Sequence, residues 1–373
     1  MTPDKNDPKV VISGYYGFDN CGDEAVLLSM IHCLRKLQPG IRTTVLSNNP
    51  EQTSKLYGVR AINRWNPLKI ALELLSGRLL ISGGGSLLQD VTSAKSPVYY
   101  LAVIRIALFL RKKVMIYAQG IGPLTLEKNR KNVQKVLNRC HTITVRDSSS
   151  AELLKSIGIQ RDIHVTCDPV MALDRDYLNS ITTGGTLQDL GVPETPGKPL
   201  LLVAIRSWKD DSHIAPIAKL LDIQAGKGWN ILLVPAHFPG DMAAIETTAA
   251  TMSTQPHIIN KCLTANEFLA LTAKADRVFS MRLHGLICAV AMGTPVIGLS
   301  YDPKVDAFMK QAGLERFCLS FDNFDLEKTN NLMEELDNTS QNFKDELEKQ
   351  RLKMQKTTLE TAEKAVELIF SRS

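Results

Sequence analysis

No apolar run in the chain approaches the roughly 18 residues of a membrane-spanning helix, and the most apolar helical stretch, Val98 to Leu110, is interrupted by Arg105. Cysteine is sparse and odd in number. The seven residues (21, 33, 140, 167, 262, 288, 318) are scattered and never form a C-x-x-C pair, so they read as reduced core residues rather than a disulfide framework or a zinc module. No basic stripe is interleaved with aromatics, which argues against a nucleic-acid partner. No His, Asp, Glu and Cys side chains recur at ligand spacing, so no metal is expected. The polar stretch Met1 to Lys9 does not read as a signal peptide. A cytoplasmic location is therefore expected, with the inner face of a membrane open to it as a peripheral site. The net charge of +5 suits an anionic substrate or such a surface.

What is present is an alternation of short apolar runs with helical patterns. Strands are expected at Val10 to Ser13, Thr43 to Leu46, Leu79 to Ser82, Val114 to Tyr117, Thr142 to Val145 and His164 to Cys167, then at Leu200 to Ile205, Ile231 to Val234, Arg277 to Ser280 and Val296 to Leu299. Such β–α alternation implies parallel, doubly wound sheets. At 373 residues two domains are expected: 1–172, then a polar, Gly- and Pro-containing linker at 173–198, a second domain at 199–340, and a charged C-terminal helix at 341–373 that packs back across both. In that helix Leu347, Met354, Leu359, Ala365 and Leu368 form the apolar stripe.

Chemistry should lie where strands end. Phe279-Ser280-Met281-Arg282-Leu283-His284-Gly285 puts an arginine and an imidazole at the carboxyl end of a strand and the start of a small-residue helix, where α/β sheets bind anions. Arg206, His237 and Lys304 follow other strands of the same sheet, so several cations share one edge. Arg146 ends a strand of the first domain. The bland alternatives are an ion pair with a nearby carboxylate for Arg282, a backbone-satisfied imidazole for His284, and a salt bridge to Asp147 or Asp168 for Arg146. Gly14, Gly17 and Gly22 punctuate a loop whose middle, Asp19 and Asn20, could touch a ligand; Gly83-Gly84-Gly85-Ser86 after a buried strand calls for close backbone approach, to a ligand or to a helix. Ser149 with Glu152 and Thr264 with Glu267 are spaced as capping boxes.

These stretches resemble one family. G-Y-Y-G-F-D-N-C-G-D-E at 14–24, G-G-G-S-L-L-Q-D at 83–90, A-Q-G-I-G-P at 118–123, V-R-D at 145–147 and S-M-R-L-H-G at 280–285 are similar in type and order to the polysaccharide pyruvyltransferases, with the nearest likeness to the CsaB type that modifies cell-wall polymers for S-layer anchoring. The resemblance implies a GT-B-like α/β fold, two Rossmann-like doubly wound domains facing a central cleft. It also implies transfer of pyruvate from phosphoenolpyruvate to a sugar as a 4,6-ketal, with release of phosphate, a reaction that needs no metal or redox cofactor beyond phosphoenolpyruvate as co-substrate. The acceptor would be an N-acetylmannosamine-type residue of a precursor carried on polyprenyl diphosphate, and a homo-oligomer is compatible with this. Carried to this chain, His284 and Arg282 become the catalytic pair, and Arg146, Arg282, His284, Lys304 and Arg206 the donor site. Asp19, Asn20, Gly84, Gly85 and Ser86 become the acceptor site.

The rivals are a GT-B glycosyltransferase using a nucleotide sugar and a non-catalytic sugar-binding protein. Ala289 to Ile297 looks like the donor helix of retaining glycosyltransferases, but the positions of its two glutamates hold Ser280 and Cys288 here.

Overall fold

Strands such as Val10-Val11-Ile12 and Leu79-Leu80-Ile81 are apolar on both faces, and a strand of that kind is stable only where both faces are covered. The computed structural model describes residues 7–371 apart from 92, 94, 183–185, 193–196 and 338–340. It forms two compact units: Met1–Phe18, Asp23–Ala172 and Met354–Ser373 make the first, and Asp19–Gly22 with Leu173–Lys353 the second.

The first unit is built on seven strands, β1 (Lys9–Ser13), β2 (Arg42–Ser47), β3 (Arg60–Asn63), β4 (Leu79–Gly83), β5 (Lys113–Gln119), β6 (Thr142–Val145) and β7 (Ile163–Val165). They are parallel and ordered β3-β2-β1-β4-β5-β6-β7. Alternate residues serve opposite cores. Val11, Leu46 and Leu80 meet helices Pro67–Ser76 and Ser96–Phe109, whereas Val10, Ile12 and Ile81 meet helix Cys21–Leu37 and the last turns of helix Gln341–Phe370. Sheet order reverses between β1 and β4, which makes the loops after those strands the expected ligand-binding crevice of a doubly wound fold.

The second unit repeats the plan with β8 (Leu200–Ala204), β9 (Asn230–Leu233), β10 (His257–Ile258), β11 (Arg277–Ser280), β12 (Val296–Ser300) and β13 (Cys318–Ser320). All are parallel in the order β10-β9-β8-β11-β12-β13, and the reversal falls between β8 and β11. Each unit is thus Rossmann-like, and the pair has the two-sheet α/β composition of a GT-B fold.

Within the expected linker 173–198, Arg175–Thr182 and Thr186–Asp189 are helical and cluster with the second unit, Leu178 is buried, and residues 183–185 and 193–196 lie outside the described residues. Helix Ser148–Ser156 is capped by Asp147, whose carboxylate accepts the Ser150 N–H, so Ser149 is not the cap; at Thr264 and Glu267 the box forms as expected. Helix Gln341–Phe370 divides between the units, its residues through Lys353 clustering with the second and those from Met354 with the first. In the first unit Ala362 and Ala365 are fully buried and the Thr361 hydroxyl donates to Thr166 Oγ1 at 2.9 Å.

The G-G-G-S-L-L-Q-D stretch ends in a structural carboxylate. Asp90 accepts the N–H of Thr125 (2.7 Å) and of Leu126 (3.0 Å), the Thr125 hydroxyl (2.9 Å) and the Asn129 amide (3.0 Å). Burial alone would raise its pKa, but these donors outweigh it and hold the carboxyl at about 2. Because the folded value lies below the unfolded one, Asp90 stabilises the fold above about pH 4, and that contribution is lost as pH falls toward 2. Asp90→Ala should cost about 2 kcal/mol in urea denaturation at pH 7 and much less near pH 2.5. An equal cost at both pH values would mean that packing, not charge, explains the residue.

Candidate active site

In the second unit the switch point is closed by Ser280, whose hydroxyl bonds the carbonyls of Ala204 (3.3 Å) and Arg282 (2.8 Å). A Cβ at Gly285 would fall 2.4 Å from that hydroxyl, so only glycine lets helix Leu283–Met292 begin so close to the end of β11. Arg282 occupies the N-cap position and His284 the first turn, so both side chains sit beside the positive end of the helix.

Arg282 turns to Asp241, a fully buried carboxylate 41 residues earlier. Its Nε donates to Oδ2 at 3.0 Å and Nη2 to Oδ1. Oδ2 also accepts the N–H groups of Ala236 (3.1 Å) and His237 (2.9 Å). This fork uses two of the five donors of the guanidinium and fixes its plane.

The chain segment Asp19–Gly22 belongs to the same unit. Asn20 forms an antiparallel bridge with His237, Cys21 N–H donates to Ala236 O (2.9 Å), and Phe238 N–H donates to Asp19 O (3.2 Å). Asp19 is exposed with φ +56°, a left-handed conformation that aspartate tolerates. A Cβ on Gly22 would lie 2.1 Å from His284 Nδ1, so the imidazole packs directly on the glycine backbone. His237 has its pKa lowered, first by burial and then by the Arg282 charge, with Asp241 and Asp19 only partly opposing; near neutral pH its ring is uncharged.

Arg206 and Lys304 stand at the same sheet edge with different surroundings. Arg206 lies 5.4 Å from the ring centres of Trp208 and Tyr301, and Lys304 pairs with Asp302 at 3.0 Å in the first turn of helix Pro303–Gln311. Among the described residues no three His, Cys, Asp or Glu side chains converge to hold a metal ion.

Arg146, Gly84, Gly85 and Ser86 belong to the first unit. Arg146 is nearly buried, donates to Asp168 (3.2 Å) and to Ser86 Oγ (3.0 Å), and lies 3.7 Å from Asp147. Both bland pairings considered for it are present. The glycine run approaches the protein itself, since a Cβ at Gly84 would fall 1.9 Å from Val26 and one at Gly83 2.8 Å from Met30. What these residues present is a Ser86 held in place by Arg146.

A family model described as polysaccharide pyruvyl transferase matches residues 20–303. The chain belongs to that family. A comparison with curated protein sequences found no match. Among solved structures, the HepE protein of Anabaena in complex with UDP-glucose is 14% identical, with 96% of this chain and 98% of that one covered and a TM-score of 0.65. The UDP-GlcNAc 2-epimerase of Neisseria meningitidis bound to UDP-GlcNAc is 14% identical over 98% and 100% of the two chains, with a TM-score of 0.60. A glycosyltransferase of Rickettsia africae is 12% identical over 99% and 100%, with a TM-score of 0.63. At such identities the likeness is one of fold, and the fold is GT-B-like.

In this pyruvyl transferase the residue that sequence reasoning missed is Asp241; His237 was placed at the sheet edge as a cation, whereas its lowered pKa leaves the ring uncharged near neutral pH. Both follow β9 in the turn His237-Phe238-Pro239-Gly240-Asp241, whose Pro-Gly pair before a helical run was the available signal. The contact between Gly22 and His284 supplies a test. Gly22→Ala should displace the imidazole and lower turnover by about tenfold or more, since an error of about 1 Å at reacting groups can cost about a hundredfold. Its far-UV spectrum should be unchanged; full activity would show that the ring position is immaterial.

Proposed function

We propose that the chain transfers the pyruvyl group of phosphoenolpyruvate to two hydroxyls of one sugar, as a cyclic ketal with release of phosphate. The observation that carries this is the Arg282 fork, fixed by Asp241 beside the first turn of helix Leu283–Met292, with His284 two residues on. Phosphate and carboxylate both suit a planar guanidinium and a helix N-terminus. Asp241 takes two donors from Arg282 and leaves the outer side of the fork for the donor substrate. Arg206 and Lys304 add positive potential along the same edge.

A proton adds to C3 of phosphoenolpyruvate and makes a methyl group, while a sugar hydroxyl bonds to C2. The C2–O bond to phosphate then breaks, and the second hydroxyl closes the ring. Of the two hydroxyl protons, one balances that gained at C3 and the other leaves with phosphate. His284 is the general acid toward C3, and His237, uncharged near pH 7, the base toward a hydroxyl. Asp19 and Asn20 bind the acceptor, an amino sugar of a lipid-carried cell-wall precursor in keeping with the CsaB-type likeness. Arg146 acts in the first unit by holding Ser86. The nucleotide-sugar alternative is disfavoured by Ser280 and Cys288, which cannot supply the carboxylates of a retaining donor helix.

Phosphoenolpyruvate should raise the melting temperature in proportion to the logarithm of its concentration once saturating. Arg282→Lys, keeping the charge but losing the fork, should weaken donor binding by about 1–3 kcal/mol. His284→Ala should bind the donor nearly normally and lose turnover by about 10²–10⁴-fold. A melt shifted by UDP-sugars and not by phosphoenolpyruvate would overturn the donor assignment. The lowered pKa of His237 places the acid limb of kcat/KM below about pH 6.5, and His237→Gln should remove that limb. An unchanged profile in that variant would exclude His237 as the base.

A further inference from the structure

One face of the first unit is apolar where water should be. Of the fourteen large apolar side chains exposed among the described residues, seven fall between Trp65 and Phe109. They are ordered. In helix Pro67–Ser76, Leu68, Leu72 and Leu75 recur at helical spacing on the solvent side, with Leu68 77% exposed. In helix Ser96–Phe109, Val98, Ala102 and Phe109 do the same, with Phe109 83% exposed. The two helices share one core beneath them, and Lys112 Nζ, just past the second, donates to the Leu75 carbonyl of the first at 2.8 Å. Their outer stripes therefore lie side by side on one face.

The charges on this face have one sign. From Arg64 to Leu126 the sequence holds eight Lys and Arg against two acids, and both acids, Glu73 and Asp90, are buried in ion pairs or hydrogen bonds. Lys69 and Lys95 lie at the start of the two helices, Arg105 interrupts the second stripe and donates to Asn132 Oδ1 at 3.0 Å, and Arg78 and Arg111 lie at their far ends, all exposed. A monomer in water gains nothing from such a face, and contiguous exposed apolar patches mark interaction sites. Apolar side chains flanked by Lys and Arg, with no exposed carboxylate between residues 64 and 126, match the interface of an anionic bilayer, in which acyl chains take the apolar groups and headgroups the cations. Neither helix is long enough to span, so each would lie in the plane of the surface.

We infer that the outer faces of helices Pro67–Ser76 and Ser96–Phe109 form a docking surface for an anionic lipid leaflet. The inference goes beyond the reaction proposed above and does not depend on it. Both helices begin at the carboxyl edge of the sheet, the edge that also carries the Ser86 loop, so a docked chain would hold that edge within reach of headgroups.

The test is flotation of the full chain with vesicles of phosphatidylcholine alone or with about one third phosphatidylglycerol. The wild type should float with the anionic vesicles, less so as salt rises, and little with the neutral ones. Leu72→Asp with Phe109→Asp, and separately Lys69→Glu with Arg111→Glu, should each lower the bound fraction by about tenfold or more. All four positions are exposed, so melting curves and transfer to a water-soluble acceptor should be unchanged, which separates this surface from the chemistry. Absence of flotation on anionic vesicles, or equal flotation of the variants, would overturn the inference. So would a dimeric wild type that Leu72→Asp with Phe109→Asp makes monomeric, because the face would then be an interface between copies.

Discussion

The second unit is organised around one buried carboxylate. Asp241 has no exposure, and an ionised group there is tolerable only because four donors meet it: the two arms of Arg282 and the N–H groups of Ala236 and His237. The interaction ties the loop after β9 to the N-terminus of helix Leu283–Met292. With the Asn20–His237 bridge it also fixes the segment Asp19–Gly22, and hence the glycine on which His284 rests. The arrangement is a positioning device as much as a neutralising one. It orients a guanidinium that would otherwise have many rotamers, which would lower the entropy lost on binding the proposed anionic donor.

Much of the plan was legible from periodicity. Strands buried on both faces read as continuous apolar runs, and β1, β4, β5, β8, β11 and β12 were all found that way. The strands missed are β3, β10 and β13, short outer strands where Arg60, His257 and Ser320 break the apolar signal. The helices Arg175–Thr182 and Thr186–Asp189 were missed because the segment is mostly polar and, among the described residues, buries little beyond Leu178 and Leu187. At the site, the switch-point rule brought Arg206, His237, Arg282 and His284 to one sheet edge. It could not reveal which carboxylate orients Arg282, because a pairing across 41 residues is set by tertiary packing and leaves no local spacing.

The glycines mislead in an instructive way. A run such as Gly83-Gly84-Gly85 reports that something comes close, not what. Here the neighbour is helix Cys21–Leu37, pressed onto the end of β4, and the nearby Tyr16 hydroxyl donates to the Gly83 carbonyl at 2.9 Å. Arg146 is a similar case. A cation at a strand's carboxyl end suits an anion, yet buried between Asp168, Asp147 and Ser86 its first task is to hold a loop. Position at the sheet edge narrows the candidates, and the satisfied hydrogen bonds then separate those that shape the site from those still able to meet a ligand.

The central claim concerns bond changes at phosphoenolpyruvate, and the fate of its C3 tests it most directly. With phosphoenolpyruvate, a water-soluble amino-sugar acceptor and the enzyme in deuterium oxide, carbon and proton NMR of the product should show a ketal methyl carrying one deuterium from solvent, formed in step with inorganic phosphate. A product that keeps the C3 methylene as a vinyl ether, or an acceptor glycosylated from a nucleotide sugar while phosphoenolpyruvate is untouched, would contradict the account.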